Sequence, residues 1–166
     1  MTLTEKDFYY LDRNKIENLV TLIYDKLSSN KEKIIDHELY SGKLGLVLYY
    51  FYYSQIQNKI IDEDIKLLDE ILDNISTLNI KAIDDIFLFS HLGLVIQTLL
   101  DEDSSKFSQY KSLLLDIDKI LFPYMEYWVN NSNFEFLRGG TNIALYYSLR
   151  KRAKYVSIYI DGLYRK

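Results

Sequence analysis

Two histidines, a glutamate and a set of glycines are the residues of this sequence equipped for chemistry. His91 stands in Ser90-His91-Leu92-Gly93, where an imidazole that titrates near neutral pH can shuttle a proton. The plainer reading is a hydrogen-bonded residue at a helix entrance. Glu135 precedes the turn Arg138-Gly139-Gly140. A carboxyl there can act as general acid or base if burial raises its pKa, and it also complements the positive end of a helix dipole without doing any chemistry. His37 and His91, 54 residues apart, cannot by themselves reproduce a catalytic zinc site, which takes three protein ligands and an open position. Gly42, Gly45, Gly93, Gly139 and Gly140 suggest a phosphate cradle at helix starts. No Gly-Lys-Ser/Thr follows any of them, however, and Lys43 sits inside its turn, so the match to a phosphate-binding loop is poor. As packing devices the same glycines are better explained, since a turn without a Cβ enters tightly and lets helices approach. There is no cysteine, hence no disulfide framework, thiolate nucleophile or thiolate metal site.

The elements that must position these residues follow from one phrase written three times: SGKLGLVLYY from Ser41, FSHLGLVIQT from Phe89 and LRGGTNIALY from Leu137. Aligning Gly45, Gly93 and Asn142 separates the copies by 48 and 49 residues, which is one period of a repeat. Each small-residue turn opens an apolar helix: Lys43 to Gln57, about Phe87 to Leu100, and a third to about Leu149. The helix after Ser41-Gly42 is apolar nearly all round, with the aromatic block Tyr49 to Tyr53, and must be covered on most sides. That block reads as core ahead of a peptide-binding wall. Between the copies lie amphipathic outer helices, about Asp62 to Leu78 and within Phe107 to Val129, where Pro123 predicts a kink or break near Leu121. A first helix from about Asn14 carries Ile16, Leu19, Val20, Ile23 and Leu27 at helical spacing, and Ala153 to Lys166 suits a last amphipathic helix. No stretch alternates as a strand does. The fold class is therefore all-α, inner and outer helices in pairs, in a single domain over residues 1–166.

A net charge of −4 and pI near 5.2 argue against nucleic acid as a partner, because no basic stripe exists to displace counterions from phosphates. The cluster Arg150-Lys151-Arg152 with Lys154 reads as a solvated helix end. The N-terminal residues MTLTEKDFYYLDRNK lack the apolar region of a signal peptide, and no apolar run approaches the roughly 20 residues of a membrane span. A cytoplasmic location is the expectation.

Gly-x-x-Gly-Leu/Ile opening a buried helix, followed by an amphipathic outer helix and repeated at this period, resembles the lanthionine synthetase C-like (LanC-like) family. The likeness is closest at SGKLGLVLYYFYY (Ser41 to Tyr53) and FEFLRGGTNIALYYSLRK (Phe134 to Lys151); Ser90 and Asn142 replace glycines of the pattern. It implies a partial α/α toroid, holding three of the family's seven glycine turns. It further implies peptide thioether chemistry, in which a zinc held by two cysteines and a histidine activates a cysteine thiolate. Those ligands have no counterparts here, and Glu135 stands where the family has an aspartate near the metal. The resemblance thus implies no zinc in this chain, a module catalytically incomplete alone, and a peptide or protein partner or self-association. Two other readings stay open: a cyclase completed by a zinc-bearing second chain, and a helical repeat scaffold unrelated to peptide modification.

Overall fold

The computed structural model describes residues 13–76, 83–135 and 139–164, and among them every regular element is helical. In chain order these are α1 (Arg13–Asn30), α2 (Lys43–Gln57), α3 (Glu63–Ser76), α4 (Ile83–Glu102), α5 (Leu113–Asn130), α6 (Gly140–Leu149) and α7 (Ala153–Tyr164), with single 3₁₀ turns at Lys31–Lys33 and Ser108–Tyr110. Helix α2 keeps the limits read from the sequence. It starts at Gly42 and stops at Asn58, whose left-handed backbone (φ 48°) lets its N–H close on the Ser54 and Gln55 carbonyls, the usual way a helix end recovers its orphaned acceptors.

Helices α2, α4 and α6 are the inner row. α2 packs on α4 and α4 on α6, while α3, α5 and α7 lie against α2, α4 and α6 respectively, and α5 also touches α6 and α7. The inner helices run parallel. Tyr52 reaches Glu102, His91 meets Asn142 and Gln97 meets Arg150, so matching levels pair along the row. The outer helices run back: the Lys43–Glu70 ion pair joins the start of α2 to the later half of α3, and Phe87 of early α4 stacks on Trp128 of late α5, centroids 4.9 Å apart.

Burial follows the periodicity. In α4, Ile86, Phe87, Phe89, Leu92, Leu94, Val95, Ile96 and Leu99 are all buried, because α2, α5 and α6 surround it. In α3 only one face goes in, through Leu67, Leu68, Ile71 and Ile75; each such side chain contributes about 1.5–3 kcal/mol. Tyr50, Phe51 and Tyr53 are core, as expected of the aromatic block, and only Tyr52 is exposed. Asp64, fully buried, is held by Lys106 Nζ at 2.7 Å, and Tyr110 donates to Asp69 at 2.7 Å. These two contacts tie the 3₁₀ connection to α3.

Four sequence expectations change. α4 begins at Ile83 and runs unbroken through Ser90-His91-Leu92-Gly93, so the middle phrase is helix interior and Gly93 is not a turn. Its missing Cβ instead admits the Tyr146 ring: a Cβ there would stand 2.8 Å from Cδ2 and closer still to Cε2. Gly45 likewise belongs to the first turn of α2, against the Leu39 carbonyl, while Gly42 and Gly139 are the residues that start helices and Gly140 is the first of α6. α5 is not broken by Pro123, because Pro123 and Lys119 are both exposed, so water can satisfy the Lys119 carbonyl that loses its donor. Finally, the apolar stripe of α1 is only half used. Tyr24 stacks on Tyr53 (4.1 Å) and Leu27 packs on the core, whereas Ile16, Leu19, Leu22 and Ile23 remain exposed.

Candidate functional site

The described residues of the loops that lead into α2 and α6 make matching contacts. Lys43 N–H donates to the Asp36 carbonyl (2.8 Å) and Gly140 N–H to the Asn133 carbonyl (3.0 Å), each spanning seven residues. In both, the glycine before that donor lies on its loop so closely that a Cβ would collide: at Gly42 with Asp36 O and Glu38 N (both 2.5 Å), at Gly139 with Glu135 O (2.6 Å) and Glu135 N (2.7 Å). Both glycines have extended backbones that any residue adopts; lack of room, not φ, selects glycine. Glu38 is therefore the structural counterpart of Glu135, each four residues ahead of its glycine. The spacing Glu-x-x-x-Gly stands in the sequence at both places, in the first copy just ahead of the repeated phrase that begins at Ser41. Both side chains are exposed.

Between the two loops, at the entrance side of the inner row, sit His91 and Asn142. Both are buried, at 4% and 1% exposure, and Asn142 Nδ2 lies 3.0 Å from His91 Nε2. The ring of Tyr40, itself exposed, stands edge-on to His91 with centroids 5.4 Å apart. With the amide donating to Nε2, the imidazole carries its proton on Nδ1. His91 Nδ1 and Asn142 Oδ1 then form a buried donor and a buried acceptor, neither with a partner among the described residues. Buried groups of this kind left without a hydrogen bond cost about 1–3 kcal/mol each, and His37 Nδ1 is a third such atom among the described residues.

Burial lowers the pKa of His91, and the nearby Glu38 carboxylate opposes this only in part; the ring is neutral at pH 7. His37 is also pushed down, first by burial and then by Lys43, against Glu70 and Asp36. It faces the Lys43–Glu70 pair and not His91. For a base whose folded pKa is depressed, the unfolded chain binds more protons between that value and 6.5. Stability is therefore complete above about pH 6.5 and declines on acidification. The melting temperature is expected to drop from about pH 7 to about pH 5, and to drop less in His91→Gln; an equal drop in that variant would remove His91 from the account.

No hydrogen bond or ion pair joins Glu135 to His91 among the described residues, so the two sequence candidates share one end of the molecule without forming an acid–base couple. The donors of the resembling family's zinc centre have no counterpart here: the sequence has no cysteine, and no three His, Asp or Glu side chains converge as a metal site among the described residues.

The opposite end of the inner row holds a second polar constellation that sequence reasoning missed. Asp118 of α5 accepts from Tyr146 OH (2.8 Å), Arg150 Nη2 (3.0 Å) and Arg152 Nη2 (3.2 Å), while its carbonyl accepts from Tyr147 OH (2.8 Å). Arg150 Nη1 donates to Gln97 Oε1 (3.0 Å), and Gln97 Nε2 to Asp101 (2.8 Å). Burial opposes the Arg150 charge, but bonding to Asp118 and its charge outweigh it and the pKa rises. Burial and Asp118 together drive the Tyr146 phenol far above its ordinary range, which keeps it a donor. Of the basic cluster, Arg150 departs from a solvated helix end, being half-buried and paired, while Lys151, Arg152 and Lys154 are exposed. Asp118 was legible as an acid in register with Leu114 and Leu121 on the apolar face of α5.

Comparison of the chain with protein-family models, with curated proteins and with solved structures finds no match. No helix among the described residues is long and apolar enough to cross a membrane.

Proposed function

We propose that this chain is a LanC-like helical module, an arc of three inner–outer helix pairs from a toroid, that binds a peptide at the end where its inner helices begin and forms no thioether by itself. The observation that carries the reading is the pair of matched glycine loops flanking His91 and Asn142. Equivalent entrances on the first and third of a row of parallel helices fit a repeated α/α architecture. A peptide group presents one carbonyl acceptor and one N–H donor, the complement of the His91 Nδ1–H and Asn142 Oδ1 that stand unpaired. Tyr40, exposed over His91, is the residue that moves to admit it. Glu38 and Glu135 flank this entrance and suit a basic or neutral peptide. The uncovered apolar residues of α1 support contact with a further protein surface, since apolar area that a repeat neighbour would bury tends to find a partner.

The test is titration with a model peptide containing one dehydrobutyrine and one cysteine, followed by thiol alkylation and mass spectrometry. Saturable binding that weakens in Asn142→Leu, with the thiol still free to alkylate, is the expected result. Absence of binding would sink the peptide reading, and a protected thiol would establish a cyclase that needs no second chain. Light scattering reports the oligomeric state in the same samples; a monomer that binds no apolar dye would count against the exposed α1 face as a contact surface.

A further inference from the structure

At the far end of the inner row the fold builds a groove that the peptide-binding reading does not use. Two adjoining hollows, about 350 and 530 Å³, share Ser108, Lys111 and Arg150 in their walls. The first runs over Gln97, Leu100, Asp101 and Leu114, and the second over Leu115 and Arg152. Together they have the size of a small-ligand pocket. Three cations, Lys111, Arg150 and Arg152, line the groove with one carboxylate, Asp101, and Asp118 pairs with both arginines from outside the lining, so one positive charge is left over in a chain whose net charge is −4. The surplus has an address. Arg150 is locked between Asp118 and Gln97, Arg152 offers only Nη2 to Asp118, and Lys111, exposed, makes no side-chain bond or ion pair among the described residues.

We propose that this groove binds a carboxylate set beside an apolar side chain, as at the C-terminus of a peptide ending in leucine. A fixed guanidinium and a mobile ammonium at a concave, partly dry surface attract an oxyanion more strongly than the same charges in bulk water. The single surplus charge matches a monoanion. A phosphate monoester carries about −1.5 to −2 at pH 7, which would overfill it and meet Asp101. Leu100, Leu114 and Leu115 supply the apolar wall that a bare anion has no use for.

Titration of the full chain with N-acetyl-leucine, N-acetyl-leucinamide, 4-methylpentanoate and inorganic phosphate, followed by NMR or calorimetry, tests this. N-acetyl-leucine is expected to saturate near about 1 mM, the strength appropriate to a ligand of this size, with the amide at least about tenfold weaker. Binding is expected to weaken several-fold in Lys111→Gln and vanish in Lys111→Glu, while Lys119→Gln, on the exposed Asp116 pair, changes nothing. Equal binding of 4-methylpentanoate supports the proposal with a free acid as the source, and weaker binding supports it with a peptide end. Equal binding of the amide, phosphate as tight as the acid, or no saturation by any probe overturns it. None of these outcomes depends on the entrance at His91.

Discussion

Replacing Asp118 with alanine is expected to remove about 3–5 kcal/mol from the stability of the fold, the usual cost of deleting one partner from a buried charged pair. The side chain is only 11% exposed and accepts from three residues, Tyr146 and Arg150 of the α6 region, the latter through both Nε and Nη2, and Arg152 beyond it. Removing it leaves the Arg150 charge, 13% exposed, with only the neutral Gln97 as partner, and the Tyr146 hydroxyl with only the Leu114 carbonyl. The loss therefore exceeds the sum of the hydrogen bonds: it is the desolvation of a cation that has lost its counter-charge. For a chain of this length a loss of that size lowers the melting temperature by about 6–20 °C. Asp118→Asn keeps the acceptor and the shape but not the charge, and should lose less. Chemical denaturation of both variants checks the order, and an alanine variant within about 1 kcal/mol of the parent would show that solvent reaches Arg150 freely.

Gly93→Ala carries the second large effect, and its sign is diagnostic. In an exposed helix interior this substitution stabilises by about 0.5–1 kcal/mol, since alanine is the better helix former. Here the new methyl would occupy the space of the Tyr146 ring. That ring is fully buried and pinned at its far end by Leu114 O (3.2 Å) and Asp118 (2.8 Å), so it cannot turn aside. Helices α4 and α6 must part instead, at about 1–3 kcal/mol for overpacking. Gly93→Val should be worse still. A second substitution, Tyr146→Leu, frees the space, so Gly93→Ala is expected to cost less in that background than in the parent, a coupling measurable in a double-mutant cycle. A Gly93→Ala protein as stable as the parent would mean that Tyr146 moves.

Much of the architecture was legible before any coordinates. The all-round apolar character of Leu44 to Tyr53 specified an inner helix, and the one-sided pattern of Ile65, Leu68, Ile71 and Leu72 specified an outer one, because helical periodicity records how many faces a helix buries. The turn at Ser41-Gly42 and the one at Gly139-Gly140 were placed correctly, since glycine beside a helix start is a local signal. Gly93 carried the same local signal for a different reason. Its neighbours Ser90, His91 and Leu92 are all buried on α4, and nothing within a few residues says whether a glycine is there for a turn or for a neighbour's ring.

The sequence by itself determined helix content, the division into inner and outer helices and the lack of any cysteine side chain, all of which depend on residue type and on periods of three or four positions. Only the tertiary structure decided that Tyr146 sits on Gly93, that Asp118 gathers Arg150 and Arg152, and that His91 and Asn142 meet with one donor and one acceptor to spare. Those residues lie 32 to 53 positions apart in the chain. Which side chains meet at that separation depends on how the parallel inner helices align, a property of packing that no local pattern encodes.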